Sequence, residues 1–404
     1  MQKRADFFFL NIGHFFDHFS ILIFATAAAL VLATEWGLSY AELIPYATPG
    51  FIAFGLGAIP AGWLADKWSR KGMMVIFFIG IGGATALTAL AETPFEVGCG
   101  LLAVGAFAAI YHPVGIALVV ETHQRTGVAL AVNGVFGNLG VASAALVTAL
   151  FIDTLGWRWA FAVPGLVAVA VGLAYWAHIA KSWSDSKIAA PTHPAAVNTR
   201  AEMSREAALR VYAVILLSTA IGGLIFQAAT FALPKIFDER LDGLATTATQ
   251  VGWYAFVVLA IASIAQLVVG TLIDRHSART VFAIVALTQA ILFWTMQQLT
   301  GSLALIVAGG FMFAVFGQIP ITDVLVGRMA RGPWRSRIFA MKYVVSFMVS
   351  ATAIPMIAWV YGTSGFDLLF AILAVCAAAV FVIALMLPSN ASVVLGTRAP
   401  EPAE

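Results

Sequence analysis

Charge is scarce in this 404-residue chain: Asp, Glu, Lys and Arg together make up 10% of it, where a soluble domain carries roughly 25%. So little charge cannot cover a water-facing surface, and a soluble enzyme is excluded. The charge present nearly cancels, with 22 Lys and Arg against 20 Asp and Glu. No basic face large enough to hold a phosphate backbone can be assembled, so no nucleic-acid partner is expected. Cysteine is almost absent: Cys99 and Cys376 sit in separate apolar runs, too few and too far apart to found a disulfide framework. No Gly-x-x-x-x-Gly-Lys-Ser/Thr phosphate loop occurs, which argues against ATP hydrolysis. No nucleophile, base and oxyanion donors can be grouped into a catalytic set, and no cofactor is called for.

What fills the chain instead is apolar bulk, 61% hydrophobic residues with a mean hydropathy of +0.93. A membrane-spanning helix needs about 20 such residues. Apolar runs bounded by Gly, Pro or charge predict twelve helices, near residues 7–33, 41–64, 72–91, 95–121, 126–152, 158–180, 208–234, 247–271, 280–299, 302–328, 337–361 and 366–387. The first is preceded by Lys3 and Arg4, as a signal peptide would be, but its length and Asp17 mark it as a retained span. The one long polar stretch, 181–207, holds Ser182, Ser184, Ser186, Pro191, Pro194 and Asn198. Such a segment cannot sit in hydrocarbon. The predicted fold is therefore an all-α membrane protein of twelve transmembrane helices in two pseudo-symmetric six-helix bundles, 1–180 and 208–387, with a cytoplasmic linker at 181–207 and a tail at 388–404. Placing both termini in the cytoplasm puts 18 of the 22 Lys and Arg on that side, leaving Arg158, Lys235 and Arg240 outside and Lys342 within a span.

The halves also repeat. Gly62-Trp63-Leu64-Ala65-Asp66-Lys67-Trp68-Ser69-Arg70-Lys71 joins helices 2 and 3, and Gly270-Thr271-Leu272-Ile273-Asp274-Arg275-His276-Ser277-Ala278-Arg279 joins helices 8 and 9, offset by 208 residues. Gly, Leu, Asp, a base and Ser recur in register. On these loops the chain resembles a major facilitator superfamily transporter, whose helix 2–3 loop reads G-x-L-[AS]-D-[RK]-x-[GS]-R-[RK]. Gly156-Trp157-Arg158-Trp159-Ala160-Phe161 with Pro164 resembles that family's entry to helix 6. Gly13-His14-Phe15-Phe16-Asp17, Tyr111-His112-Pro113 and Gly134-Val135-Phe136-Gly137-Asn138-Leu139-Gly140 are similar to the fosmidomycin-resistance-type branch of bacterial exporters. Helix 4 has no arginine and helix 5 lacks the Gly-Pro pair of the antiporter signature. The resemblance implies a secondary transporter in a bacterial cytoplasmic (inner) membrane, monomeric among its lipids, with protons and a small molecule as partners. Proton-antiport efflux of a drug-like compound, and with it antibiotic resistance, is the reading this branch implies. A proton symporter importing a small organic anion or metal chelate is the alternative, and a non-transporting sensor or scaffold on the same fold is a third.

Ionisable groups inside hydrocarbon are costly, about 2.5–3.5 kcal/mol for an Asp at a helix centre, so their positions are informative. Helix 1 carries Asn11, His14, Asp17 and His18 on one stripe. Imidazole changes charge near neutral pH and an adjacent carboxylate moves that point. His14, Asp17, His18 and, from helix 4 at similar depth, His112 are the expected proton-coupling residues. Two other readings of the stripe stay open: a cluster that only fastens helices, and a metal site formed by His14, Asp17 and His18. The repeat offset brings His18 near Gln227 and Pro113 near Pro320. Discontinuous helices at matching places in two halves point to a binding site. Asn11, Tyr111, Asn138, Gln227 and Gln318 are thus candidate substrate contacts, with helix-to-helix hydrogen bonding as the plainer role of each. Gly62, Asp66, Arg70, Lys71, Gly270, Asp274 and Arg275 in the loops, and an Asp323–Lys342 ion pair, are the expected gating elements. Asp66, Glu121 and Arg125 offer a matching gate ion pair in the first half, with solvated charge the preferred reading of Glu121 and Arg125.

Overall fold

Several helix starts are written locally. Ser39 accepts a hydrogen bond from the Glu42 backbone N–H (3.2 Å) while the Glu42 carboxylate accepts from that of Ser39 (2.9 Å). Thr93 and Glu96 repeat the arrangement, with Pro94 in the first turn, and Ser69 accepts from the Gly72 N–H at 3.1 Å. Each bond satisfies donors that the first helical turn leaves open. The computed structural model describes residues 2–123, 126–180, 205–329 and 334–387. The polar stretch between the halves and the tail therefore lie almost wholly outside the described residues, as does Arg125.

The apolar spans among the described residues are all helices, ten single ones and one of double length. The ten are α1 (Arg4–Glu35), α2 (Tyr40–Lys67), α3 (Arg70–Thr88), α4 (Pro94–Thr122), α5 (Gly127–Thr154), α6 (Trp157–Ala180), α7 (Leu209–Arg240), α8 (Ala248–Arg275), α9 (Ala278–Met296) and α10 (Gly301–Val326). The last, Trp334–Leu385, contains Gly365 at φ 68° and ψ −165°, a backbone conformation only glycine adopts freely. The chain doubles back there. Val380, Ala384 and Leu387 share an apolar cluster with Val211 at the start of α7 and Ala278 at the start of α9, and Lys342, near the other end of the same helix, pairs with Asp323 of α10. Both ends thus lie together, giving α11 (334–364) and α12 (366–385) and the twelve predicted crossings. The largest departure from the expected boundaries is in α7, which runs six residues past Pro234. Burial of Leu233, Ile236, Phe237 and Leu241 outweighs the hydrogen bond that the proline removes.

Within the first half α1 packs on α5 and α6, and α3 on α6. Within the second, α7 packs on the helix holding α11 and α12, and α8 on α10. Across the halves α5 lies on α8 and α2 on α11. The outer faces are apolar: Leu90, Phe95, Ile306 and Trp359 are between 66% and 73% exposed, which suits lipid and not water.

Candidate functional site

α1 is the most enclosed of the apolar helices, with 78% of its apolar window buried against 39–56% in the others. The polar stripe faces inward. Asp17 is 0% exposed, His14 is 7% exposed, and His18 is partly exposed, so the stripe is neither turned to lipid nor wholly sealed.

α4 meets it through a local irregularity. Pro113 has no N–H to donate, and the helix widens by one residue over Tyr111–Gly115, a π-bulge of the kind that re-aims side chains at functional sites. His112 Nε2 comes to 3.3 Å from Asp17 Oδ2. Its ring centroid lies 5.4 Å from that of His14 and 5.4 Å from that of His18, and the His14 and His18 rings are 5.0 Å apart. The expected four-residue group exists. One donor atom from each lies within 4.8 Å of the others, close enough for the group to close on a single cation. His14 Nδ1–H donates to the Asn133 carbonyl at 2.8 Å; a carbonyl only accepts, so in the neutral ring Nε2 keeps its lone pair. Neither carboxylate oxygen of the buried Asp17 has a hydrogen bond among the described residues. A carboxylate so placed calls for a proton or a cationic neighbour. Gly137 makes the room: a Cβ there would stand 2.6 Å from His14 Nε2.

Asn133 is the residue that sequence reasoning missed. Its amide donates to Asn11 Oδ1 (3.0 Å) and to the Tyr111 hydroxyl (2.8 Å), and Tyr111 donates to the Leu10 carbonyl (2.7 Å). One asparagine on α5 therefore ties α1 and α4 and orients His14. Its signal was present, an Asn one position ahead of the glycine run at Gly134, but nothing local distinguishes it from Asn138.

The candidate substrate contacts divide. Asn11 and Tyr111 are engaged in that network. Gln318 accepts from Gln289 at 2.7 Å, a bond between α10 and α9 within the second half. Asn138 Nδ2 and Gln227 Nε2 are buried donors with no partner among the described residues, free to serve a ligand. Arg70 bonds Asp66 at 2.7 Å and pairs with Glu121, so α2, α3 and α4 are tied at one end, while Gly62 lets α2 approach Pro113, a Cβ there lying 3.3 Å from the proline. Glu121 is thus a partner and not merely solvated. Lys71 is half-buried at the same end. In the second copy Asp274 and Arg275 are exposed and Gly270 approaches nothing within 4 Å. Lys342 pairs with Asp323 inside the second half.

The group reaches the other half of the molecule through aromatics. The His112 ring lies 5.1 Å from Phe347 of α11 and 5.8 Å from Phe54 of α2, which is itself 4.7 Å from Phe347. On the side of the α1–α2 and α11–α12 turns the halves are joined: Tyr40 lies 5.3 Å from Tyr361, Thr249 N–H donates to Asp153 at 2.7 Å, and Gly252 packs against Ala149. At the opposite end the Arg70, Asp6–His178 and Lys342 pairs each stay within one half.

A family model described as Major Facilitator Superfamily matches residues 10–246. The chain is similar to a niacin transporter, NiaP, of Acinetobacter baylyi, 33% identical over 172 residues covering 40% of this chain and 37% of that one. It is also similar to a gallate transporter of Pseudomonas putida, 26% identical over 158 residues, 39% of this chain and 35% of that one. These matches span little more than a third of the relatives' length. Among solved structures, a POT family transporter in complex with 5-aminolevulinic acid superposes with a TM-score of 0.72 over 94% of this chain and 95% of that one, at 12% identity, a likeness of fold alone. The expectation of a drug-export branch gains nothing from these relatives.

Proposed function

This chain belongs to the major facilitator superfamily, and from that premise we propose that it carries a small aromatic carboxylate inward together with protons, by alternating access. The observation that carries the reading is that His112, in contact with the buried Asp17, also rests on Phe347 of the other half. In this reading a change of charge at the cluster acts where the halves meet. Moving an anion into a cell with a negative interior costs about 2.3 kcal/mol per charge at 100 mV, and a proton taken up alongside cancels that cost. The niacin and gallate relatives support this choice of substrate class, and the symport alternative is preferred over efflux on that ground.

In this reading His14, Asp17, His18 and His112 hold the proton, and Asn138 and Gln227 offer amide N–H groups to the substrate. The bundles 1–180 and 208–387 rock about the α2–α11 and α5–α8 contacts, with the termini and linker in the cytoplasm of a monomer in the inner membrane. The joined end is then the outer one, and the site opens inward. Arg70 with Asp66 and Glu121, and Lys342 with Asp323, brace the inner ends of the two halves so that the gate opens by the halves parting.

The test is uptake of nicotinate and gallate into proteoliposomes under an imposed pH gradient. Accumulation with the exterior acidic, abolished by a protonophore, is expected. Outward-only, gradient-driven movement of a drug panel with no flux of either acid would replace this reading with export.

A further inference from the structure

Among the described residues Asp17 and Lys342 are, histidine aside, the charged side chains buried below 9% exposure. The first lies in the N-terminal half and the second in the C-terminal half, so each half turns one charge of opposite sign inward. Asp17 is absorbed by the proposed proton site. Lys342, 5% exposed, carries a cost of the same kind, and it is compensated by Asp323, whose side chain is 35% exposed. The pair thus joins a dry ammonium to a wet carboxylate. A second carboxylate can take Asp323's place without changing the number of buried charges, because the ammonium stays paired while Asp323 returns to water. A neutral amide or ester cannot make that exchange.

Height along α11 fits the same ligand. Phe347 lies five residues beyond Lys342, roughly 7.5 Å along the helix axis at 1.5 Å per residue, and the lysine's four-carbon stem gives it reach around the helix. A benzoate-sized acid held by its carboxylate at Lys342 would bring its ring to the level of Phe347 and Phe54, whose rings stand 4.7 Å apart beside His112.

We propose that Lys342 is the carboxylate anchor of the transported acid and that Asp323 is its built-in competitor, displaced when substrate binds. This rests on the aromatic-carboxylate reading above. It also makes the brace at the inner end of the C-terminal half responsive to substrate, since binding removes it.

The test is isothermal titration of the purified full-length protein in detergent with nicotinate and gallate, using nicotinamide as the neutral control, in the wild type, Lys342→Gln, Asp323→Asn and the double variant. The expected results have opposite signs. Lys342→Gln weakens both acids by about thirtyfold or more, while Asp323→Asn, with the competitor gone, tightens them several-fold, and nicotinamide binds weakly throughout. The double variant buries no unpaired charge, so its folding, read by circular dichroism and size exclusion, separates loss of site from loss of structure. It is expected to bind both acids as weakly as Lys342→Gln. Wild-type affinity in the folded double variant would overturn the anchor and leave the transport reading standing, and so would weakening by Asp323→Asn equal to that by Lys342→Gln, the mark of a purely structural pair. No binding of either acid to the wild type would overturn the transport reading and this inference with it.

Discussion

The two halves share one pattern and differ in the side chains they hang on it. The N-terminal half gathers three imidazoles and a carboxylate around one point, with donor atoms within 4.8 Å, and holds them with a network of neutral hydrogen bonds centred on Asn133. In the C-terminal half the described interhelical polar contacts include an amide pair, Gln289–Gln318, a Ser350–Gly223 carbonyl bond and an ion pair, Lys342–Asp323. Lys342 lies one residue from the repeat counterpart of Asn133. Where the first half uses a neutral amide to fasten helices, the second spends a charge. The loops differ likewise: Arg70 is half-buried and ties three helices, while its counterpart region presents Arg275 exposed. In the proposed reading the shared topology supplies two bundles that rock, and the asymmetry of side chains divides the tasks, proton handling in one half and anion recognition in the other.

The largest expected effect tests that division directly. Asp17→Asn removes the buried carboxylate, and a gradient of one pH unit, worth about 1.4 kcal/mol per proton or tenfold in concentration, should no longer drive accumulation in proteoliposomes. Exchange of labelled for unlabelled acid should continue. Gln227→Leu in the other half should do the reverse, weakening acid binding while leaving the pH dependence of transport in place; a changed pH profile in that variant would blur the comparison.

The loops give the next effect. Arg70→Ala frees both Asp66 and Glu121, and a several-fold fall in initial uptake rate is expected, against little change for Arg275→Ala. Exposed ion pairs contribute only about 0–1 kcal/mol to stability, so both variants should melt close to the wild type. Equal rates in the two would mean that the repeat loops act alike despite their different contacts.

Smaller still are the fastening bonds. Interhelical hydrogen bonds in membranes average about 0.6 kcal/mol and reach about 1.7. Asn133→Ala, which removes several bonds at once, should lower thermal stability in detergent by the upper figure, and Gln289→Ala by the lower. Smallest is the glycine pair. Gly62→Ala meets Pro113 at 3.3 Å and Gly270→Ala meets nothing, so a shift in melting temperature is expected only for the first.

Composition and periodicity by themselves determined the membrane class, the number of crossings, the repeat and the stripe on α1, because each of these is a local property: how many apolar residues run together, and which recur every three or four positions. The same local chemistry marked His112, since Pro113 beside it breaks the helix bond pattern wherever the helix is placed. What lies across from a side chain was decided only by tertiary packing. That Asn133 and not Asn138 orients His14, that Gln318 is taken by Gln289 while Gln227 Nε2 has no partner among the described residues, that Arg70 reaches Glu121, and that His112 touches Phe347 all depend on how far each helix is rotated and how deep it sits. Those two quantities are set by many weak contacts between small-residue faces, such as Gly252 on Ala149, and no single contact is strong enough to be written as a motif in the chain.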